Sequence, residues 1–218
     1  MLRVLLTGFA PFGGAAANPT ERLVAALAEG PAPAGITLAT AVLPVTYAGA
    51  VPALRAALAR HDPDVVLATG LAGGRPHVSV ERVAINVDDA RIADNDGARR
   101  IDAPVVAGGP AAYFATVPIK AMVAAIRAAG IPAEVSQTAG TFLCNHVFYQ
   151  ACHIAVTERS GLRAGFLHVP WLPEQARDHP GEPDMPLDDM IRAVRAAVAA
   201  VRGTPPGSDI AVAEGAVG

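Results

Sequence analysis

Apolar runs of five to eight residues alternate along this chain with longer stretches whose apolar positions recur at helical spacing, and that alternation restricts the fold more than any single motif does. Residues 2–7, 36–43, 64–68, 131–136 and 162–169 read as strands, and 19–29, 47–60, 117–129, 142 onward and 185–202 read as helices. Strands that are so continuously apolar are buried on both faces, which is the habit of a parallel sheet covered by helices. The last helix fits that role, because Leu187, Met190, Ile191, Val194, Val198 and Val201 fall on one stripe. The expected class is therefore α/β, with a central, mostly parallel sheet and helices on both faces. No linker interrupts the 218 residues, so one domain is expected over 1–202, followed by a flexible Gly-, Pro- and Ala-rich tail over 203–218.

In such sheets sites gather at the carboxyl ends of the strands. The loop GFAPFGG at 8–14, the loop LAGGRP at 71–76, and His168 at the end of the 162–169 run all follow expected strand ends, and so should share one edge. Residues 78–87 read as one extended, β-branched ribbon carrying Glu81. The stretch 88–118 has little periodicity and concentrates Asp88, Asp89, Arg91, Asp94, Asn95 and Asp96, the pattern of a functional loop. Asn18, Pro19 and Glu21 have the order of an N-cap, a first helical residue and a capping-box acid.

The stretch SQTAGTFLCNHVFY, residues 136–149, joins an expected strand to an expected helix with a cysteine at the seam. Cys144 falls in the first helical turn, where unpaired N–H groups and the helix dipole favour an anion, so its thiol is expected to be pushed toward thiolate. The same N–H groups suit a negative oxygen formed when sulfur attacks a carbonyl. Taken alone, Cys144 reads more readily as a small buried hydrophobe. Cys152 lies eight positions further on. That is roughly 12 Å along the same helix, beyond disulfide reach, so it reads as core packing.

A cysteine nucleophile needs a base, and six histidines are available. His146 is turned almost opposite Cys144 on the helix, His61 and His179 fall in expected surface turns, His77 in a loop and His153 on a helix. His168 is the one at a buried strand's carboxyl end, where the alternative is a core imidazole bonded to backbone. The base needs an orienting acceptor, for which Glu81 competes with Asp88, Asp89 and Asp94; Glu81 could instead pair with Arg82. Arg91 could stabilise negative charge on a substrate or simply neutralise its aspartates.

Other chemistries find little support. The net charge of -3 and the 17% share of charged residues give no basic footprint, so no nucleic-acid partner is expected. The opening MLRVLLTGFAPFGG is too short and broken an apolar run for a signal or membrane segment, and two cysteines unable to pair point to a reducing cytoplasm. The glycine loop matches neither GxxxxGK[ST] nor GxGxxG, and no histidine pair has ligand spacing with a third partner, so no metal site is expected.

Four ordered segments together resemble the pyroglutamyl-peptidase I family, also called pyrrolidone-carboxylate peptidases. They are TGFAPFGGAAANPTER, GLAGGRPHVSVERVAINVDDARIADNDG, SQTAGTFLCNHVFY and GFLHVPWLPEQ, spread over nearly the whole chain. The resemblance implies a three-layer α/β/α sandwich with a mostly parallel, mixed sheet, commonly a homotetramer, with no cofactor. It implies hydrolysis of the bond after an N-terminal 5-oxoproline, with Cys144 as nucleophile, His168 as base, Glu81 as orienting acid, and backbone N–H with Arg91 meeting the oxyanion. A small neutral lactam asks for a short apolar slot, so Phe9, Phe12 and Phe142 are expected to sandwich it while backbone groups or Asn18 read its amide edge. Leu71 stands where the family often has glutamine, which leaves no amide side chain there. Two other classes remain compatible with the same sheet. One is an amidase or a nucleoside phosphorylase, which in the latter case needs phosphate; the other is a catalytically silent binding protein.

Overall fold

The computed structural model describes residues 1–215. Its elements run β1 (Leu2–Phe9), α1 (Pro19–Glu29), β2 (Ile36–Leu43), α2 (Ala50–His61), β3 (Val65–Leu71), β4 (Val78–Glu81), β5 (Val83–Ile85), β6 (Ala112–Phe114), α3 (Ile119–Ala128), β7 (Ala133–Ser136), α4 (Leu143–Thr157), β8 (Arg163–Val169), α5 (Pro173–Ala176) and α6 (Leu187–Gly203). Six strands form one mixed sheet in the order β2-β1-β3-β8-β4-β7, in which only the β4–β8 pair is antiparallel. Strand alternation sends successive residues to opposite faces. Val4, Leu6, Leu67, Val80 and Leu167 therefore join one apolar cluster beneath α1, α3 and α6. Leu5, Val66, Ala68 and Phe166 join a second beneath α2 and α4. Two buried layers with a sheet between them make the three-layer α/β sandwich.

The expected 78–87 ribbon is divided. Arg82 breaks it, sending its guanidinium to Gln137 Oε1 at 2.9 Å while its N–H bonds Ser136 O. β4 enters the main sheet between β8 and β7, and β5 leaves it to pair with β6 in a separate two-stranded sheet. The irregular stretch after it is stitched rather than loose, through an Asp88–Ala103 bridge and the Asn86 side chain, which bonds Val106 O and Gly109 O. Four-residue α5 begins at Pro173 with Glu174 in its first turn, a helix-start pattern too short to carry an apolar period.

Beyond Gly203 the described chain carries no regular element, yet it does not hang free. Asp209 accepts from Lys120 N and Ala121 N at 2.9 Å, supplying the cap that Pro118 cannot give α3. Glu214 pairs with Arg127 at 2.6 Å. These contacts belong to the stretch expected to be flexible; its last part, 216–218, lies outside the described residues. Among the described residues no helix is long and apolar enough to cross a membrane.

α1 lies unusually close to the end of β1. Phe9 N–H donates to Thr20 Oγ1 at 2.9 Å, and a Cβ on Gly8 would stand 2.3 Å from the Thr20 carbonyl oxygen. Because the obstacle is backbone, it cannot swing aside as a side chain would. Gly8→Ala is expected to cost about 3 kcal/mol, lowering the melting temperature by about 6–12 °C in a thermal scan.

Candidate active site

The parallel strands β1, β3 and β8 open their carboxyl ends on one edge, and a single cavity of about 740 Å³ lies there. Cys144 and His168 both line it. Phe142 is the N-cap of α4, which makes Cys144 the second helical residue, as the sequence pattern suggested. Phe142 offers no side-chain cap, so the first-turn N–H groups remain for a ligand. The sulfur rests on Gly70: a Cβ there would stand 2.7 Å from Cys144 Sγ and 2.9 Å from Phe166 Cζ. Gly70 is paired in register with His168 on the next strand, so the sulfur and the imidazole occupy neighbouring strands at one level.

The register of β4 brings in the acid. Ser79 lies directly opposite His168, which puts Glu81 diagonal to it and on the same face, toward α4. That diagonal is within reach of a glutamate, and His168 Nδ1 stands 2.7 Å from Glu81 Oε1. Glu81 is fully buried and His168 is 3% exposed. A carboxylate so placed needs a second counter-group, which sequence reasoning missed. Arg75 Nη1 donates to the same Oε1 at 2.7 Å, while its Nη2 donates to Thr138 O at 3.0 Å, in the loop that leads to Cys144. The only sequence signal was a cation in a glycine-rich loop at the carboxyl edge.

Two of the three rival acids are occupied elsewhere, and the third, Asp89, keeps a carboxylate without a partner among the described residues. Asp88 holds buried His146 at 2.9 Å and Arg100 at 2.8 Å. Asp94 accepts from Tyr47 N, Asp96 N and Ala98 N, folding its own turn. Asp89 lies at the cavity wall, its backbone bonded to Thr141 through N–H (2.8 Å) and C=O (2.7 Å). Asn145 adds bonds to Ile85 N, Ile85 O and Val87 O, so the segment bearing Arg91 is fastened to the first turns of α4. Arg91 lines the cavity and forms no ion pair among the described residues.

Phe9, Phe12, Leu71 and Phe142 also line the cavity. Phe9 is 3% exposed and belongs mainly to the core, leaving Phe12 and Phe142 as the more accessible rings. Asn18 touches the cavity, but its amide is largely spent. Its Oδ1 accepts from Thr20 N at 3.0 Å and Thr20 Oγ1 at 2.8 Å, and its Nδ2 donates to Ala10 O at 3.0 Å. It is the N-cap of α1, and one Nδ2 hydrogen is all it has left for a substrate.

The electrostatics of Cys144 differ from the sequence expectation. Burial of the sulfur pushes its thiol up to about 12, the charge of Glu81 adds to the rise, and Arg75 opposes it. The residue is half-buried as a whole, but its sulfur is the part set against Gly70. Burial of the sulfur thus works against the thiolate that the helix N-terminus favours.

The chain as a whole has close counterparts. The family model described as Pyroglutamyl peptidase matches residues 2–203. The pyrrolidone-carboxylate peptidase of Streptomyces coelicolor is 53% identical over 216 residues, 99% of each chain. That of Chromobacterium violaceum is 54% identical over 198 residues, 91% of each chain. Pyroglutamyl peptidase I from Bacillus amyloliquefaciens superposes with a TM-score of 0.93 at 39% identity, covering 98% of this chain and all of its own. A mutant pyrrolidone carboxyl peptidase from Pyrococcus furiosus gives 0.88 at 40% identity, covering 93% and 99%. Matched along its length and more than half identical to relatives of the same size, this chain belongs to the pyroglutamyl peptidase family.

Proposed function

We propose that this protein is a cysteine peptidase that removes an N-terminal pyroglutamyl residue from peptides, with Cys144 as nucleophile, His168 as general base and Glu81 as orienting acid. The observation that carries the reading is the buried 2.7 Å contact of His168 with Glu81, on the same sheet face and in the same cavity as a cysteine at a helix N-terminus. With Glu81 accepting from Nδ1–H, the other imidazole nitrogen is left as an acceptor for the thiol proton. As that proton moves to His168, sulfur bonds to the exocyclic carbonyl carbon of the 5-oxoprolyl residue. The negative oxygen is met by the Cys144 N–H and by Arg91. Collapse breaks the C–N bond, His168 returns the proton to the leaving amine, and water hydrolyses the thioester.

Arg75 keeps the acid in place: it offsets the charge of buried Glu81 and ties it to the loop before the nucleophile. The lactam lies between Phe12 and Phe142, with Phe9 and Leu71 behind. Its amide edge is read chiefly by backbone, since Asn18 is committed to its own loop. A free ammonium between the Phe12 and Phe142 rings would lose water, at a cost of several kcal/mol unless the Asp89 carboxylate at the cavity wall reached it. Two free cysteines support a reducing cytoplasm. Exposed Phe114, Val156 and Ile101 support assembly of copies, as a homotetramer, on the apolar surface they offer.

The test is a fluorogenic pyroglutamyl amide assay with and without iodoacetamide, and with and without phosphate. Hydrolysis that needs no phosphate and stops on alkylation is expected, whereas phosphate-dependent turnover indifferent to alkylation would assign a phosphorylase. Cys144→Ala is expected to abolish turnover with an unchanged circular dichroism spectrum; a retained rate removes the mechanism. Glu81→Gln and Arg75→Ala misplace the base without deleting it, so each is expected to lower kcat by roughly 10²-fold, less than the cysteine variant. The raised thiol gives a further expectation. Below about 12 the thiolate fraction grows with pH, so alkylation of the free enzyme should quicken roughly tenfold per unit from pH 7 to 10 without levelling. A rate already flat between pH 6 and 9 would mean a preformed thiolate instead.

A further inference from the structure

The cavity is larger than one lactam ring needs, since volumes of roughly 300–1,000 Å³ hold ligands of drug size, and this one encloses about 740 Å³. Phe12, Phe142 and Cys144 line one part of it and pack with the cluster beneath α2 and α4, and Trp171, which follows β8, lines another. The floor between them is made by the chain leaving β3 and β8 side by side. Gly70 faces His168, Leu71 faces Val169, and Ala72 N–H donates to Val169 O at 2.9 Å. Gly73 comes next and lies under the Trp171 indole, where a Cβ would stand 2.5 Å from Nε1. Three extended residues, about 10 Å, thus separate the seat of the sulfur from the seat of the indole. A peptide running away from the scissile bond covers that span with its first few residues.

Trp171 is held between the Gly73 floor and the His179 ring, so the stack offers a ligand the edge of the indole and the cavity-facing side of His179. The indole stacks on His179 with centroids 4.2 Å apart and planes 10° from parallel. Its Nε1 donates to Glu182 Oε2 at 2.5 Å, and Glu182 Oε1 has no partner among the described residues. All three residues line the cavity. The geometry points to a leaving-side subsite made of Trp171, His179 and Glu182 that takes the second residue after the pyroglutamyl group and favours arginine in that position. It rests on the pyroglutamyl-peptidase reading above.

Arginine is the side chain that matches both features. A guanidinium is planar, lies along aromatic rings and donates a fork of N–H groups to a carboxylate, while lysine has the charge without the plane. An acidic residue would meet Glu182 as a like charge. The two arginines of the cavity wall do not cancel this preference, because Arg75 is engaged by Glu81 and Arg91 is assigned to the oxyanion. Gly73 has a role in the same design: any side chain there would lift the indole away from the floor.

Three substrates test the subsite: pyroglutamyl-alanine, and the amides of pyroglutamyl-Ala-Arg-Ala and pyroglutamyl-Ala-Glu-Ala, with kcat/KM of each longer peptide referred to pyroglutamyl-alanine in the same variant. The natural enzyme is expected to favour the arginine peptide over the glutamate peptide by about fivefold, the scale of one exposed charge pair. Glu182→Gln should bring that ratio close to one. Gly73→Ala, which keeps every ring but displaces Trp171, should lower both longer peptides relative to pyroglutamyl-alanine. A natural enzyme that cleaves pyroglutamyl-alanine but does not distinguish the longer peptides overturns the subsite alone, as does a ratio that survives Glu182→Gln. If none of the three is cleaved, the pyroglutamyl-peptidase reading fails and takes the subsite with it.

Discussion

A carboxylate with no exposure to water is the constraint around which this molecule is arranged. Glu81 is held at the end of a four-residue strand and shares one oxygen between an imidazole and a guanidinium, each at 2.7 Å. Removing either partner from a buried ion pair costs about 3–5 kcal/mol, because the remaining charge is left without water or counter-ion. The pairing therefore fixes three distant pieces of chain against each other: the loop after β3, the strand β4 and the end of β8. The antiparallel β4–β8 register accommodates it. In that direction Ser79 and Glu81 both face α4, and the glutamate meets His168 on the diagonal.

The same device appears a second time beneath the neighbouring loop. Asp88, also fully buried, holds His146 of α4 and Arg100, and Arg100 in turn lies over the Tyr47 ring at 4.6 Å. His146 faces away from the sulfur's partners, so its function is to hold the loop. With Asn145 bonded to Ile85 and Val87, it makes the first turns of α4 a common anchor for Cys144 and for the segment that carries Arg91. Asn95 extends the stitching to the opposite wall, donating to Pro11 O at 2.9 Å beside Phe12. The walls of the cavity are thus set by buried polar bonds, while the two apolar clusters set the layers.

What could be read from the sequence follows from this division. Layers depend on local apolar period, so β1, β2, α1, α4 and α6 lay close to their expected bounds, and the Asn18 cap could be located from three residues. The position of Cys144 at a helix start is local as well. The split of the ribbon at Arg82 is not, because it depends on Gln137 and Ser136 arriving from elsewhere. Arg75 was invisible for the same reason: six residues from Glu81 along the chain, it becomes a partner only once β4 has turned back beside β8. The tail shows the limit of composition. Its glycines and prolines suggest freedom, but a helix whose first turn begins after Pro118 leaves bare N–H groups, and Asp209 supplies their acceptor.

Cys144 shows two correct arguments competing, with magnitude deciding between them. A helix N-terminus stabilises an anion by about 1–2 kcal/mol at best. Raising a thiol from 9 to about 12 corresponds to about 4 kcal/mol against the anion, and most of that comes from dehydration. A sulfur set against Gly70 has little room for water, so sequence position alone could not reveal the larger effect. In the proposed chemistry a neutral resting sulfur makes His168 indispensable, because charge appears only as the proton leaves. It also makes the imidazole's own fixation matter more than the cysteine's surroundings: a base that must act within one step has to be in position beforehand, and the buried Glu81 and Arg75 pair holds it there.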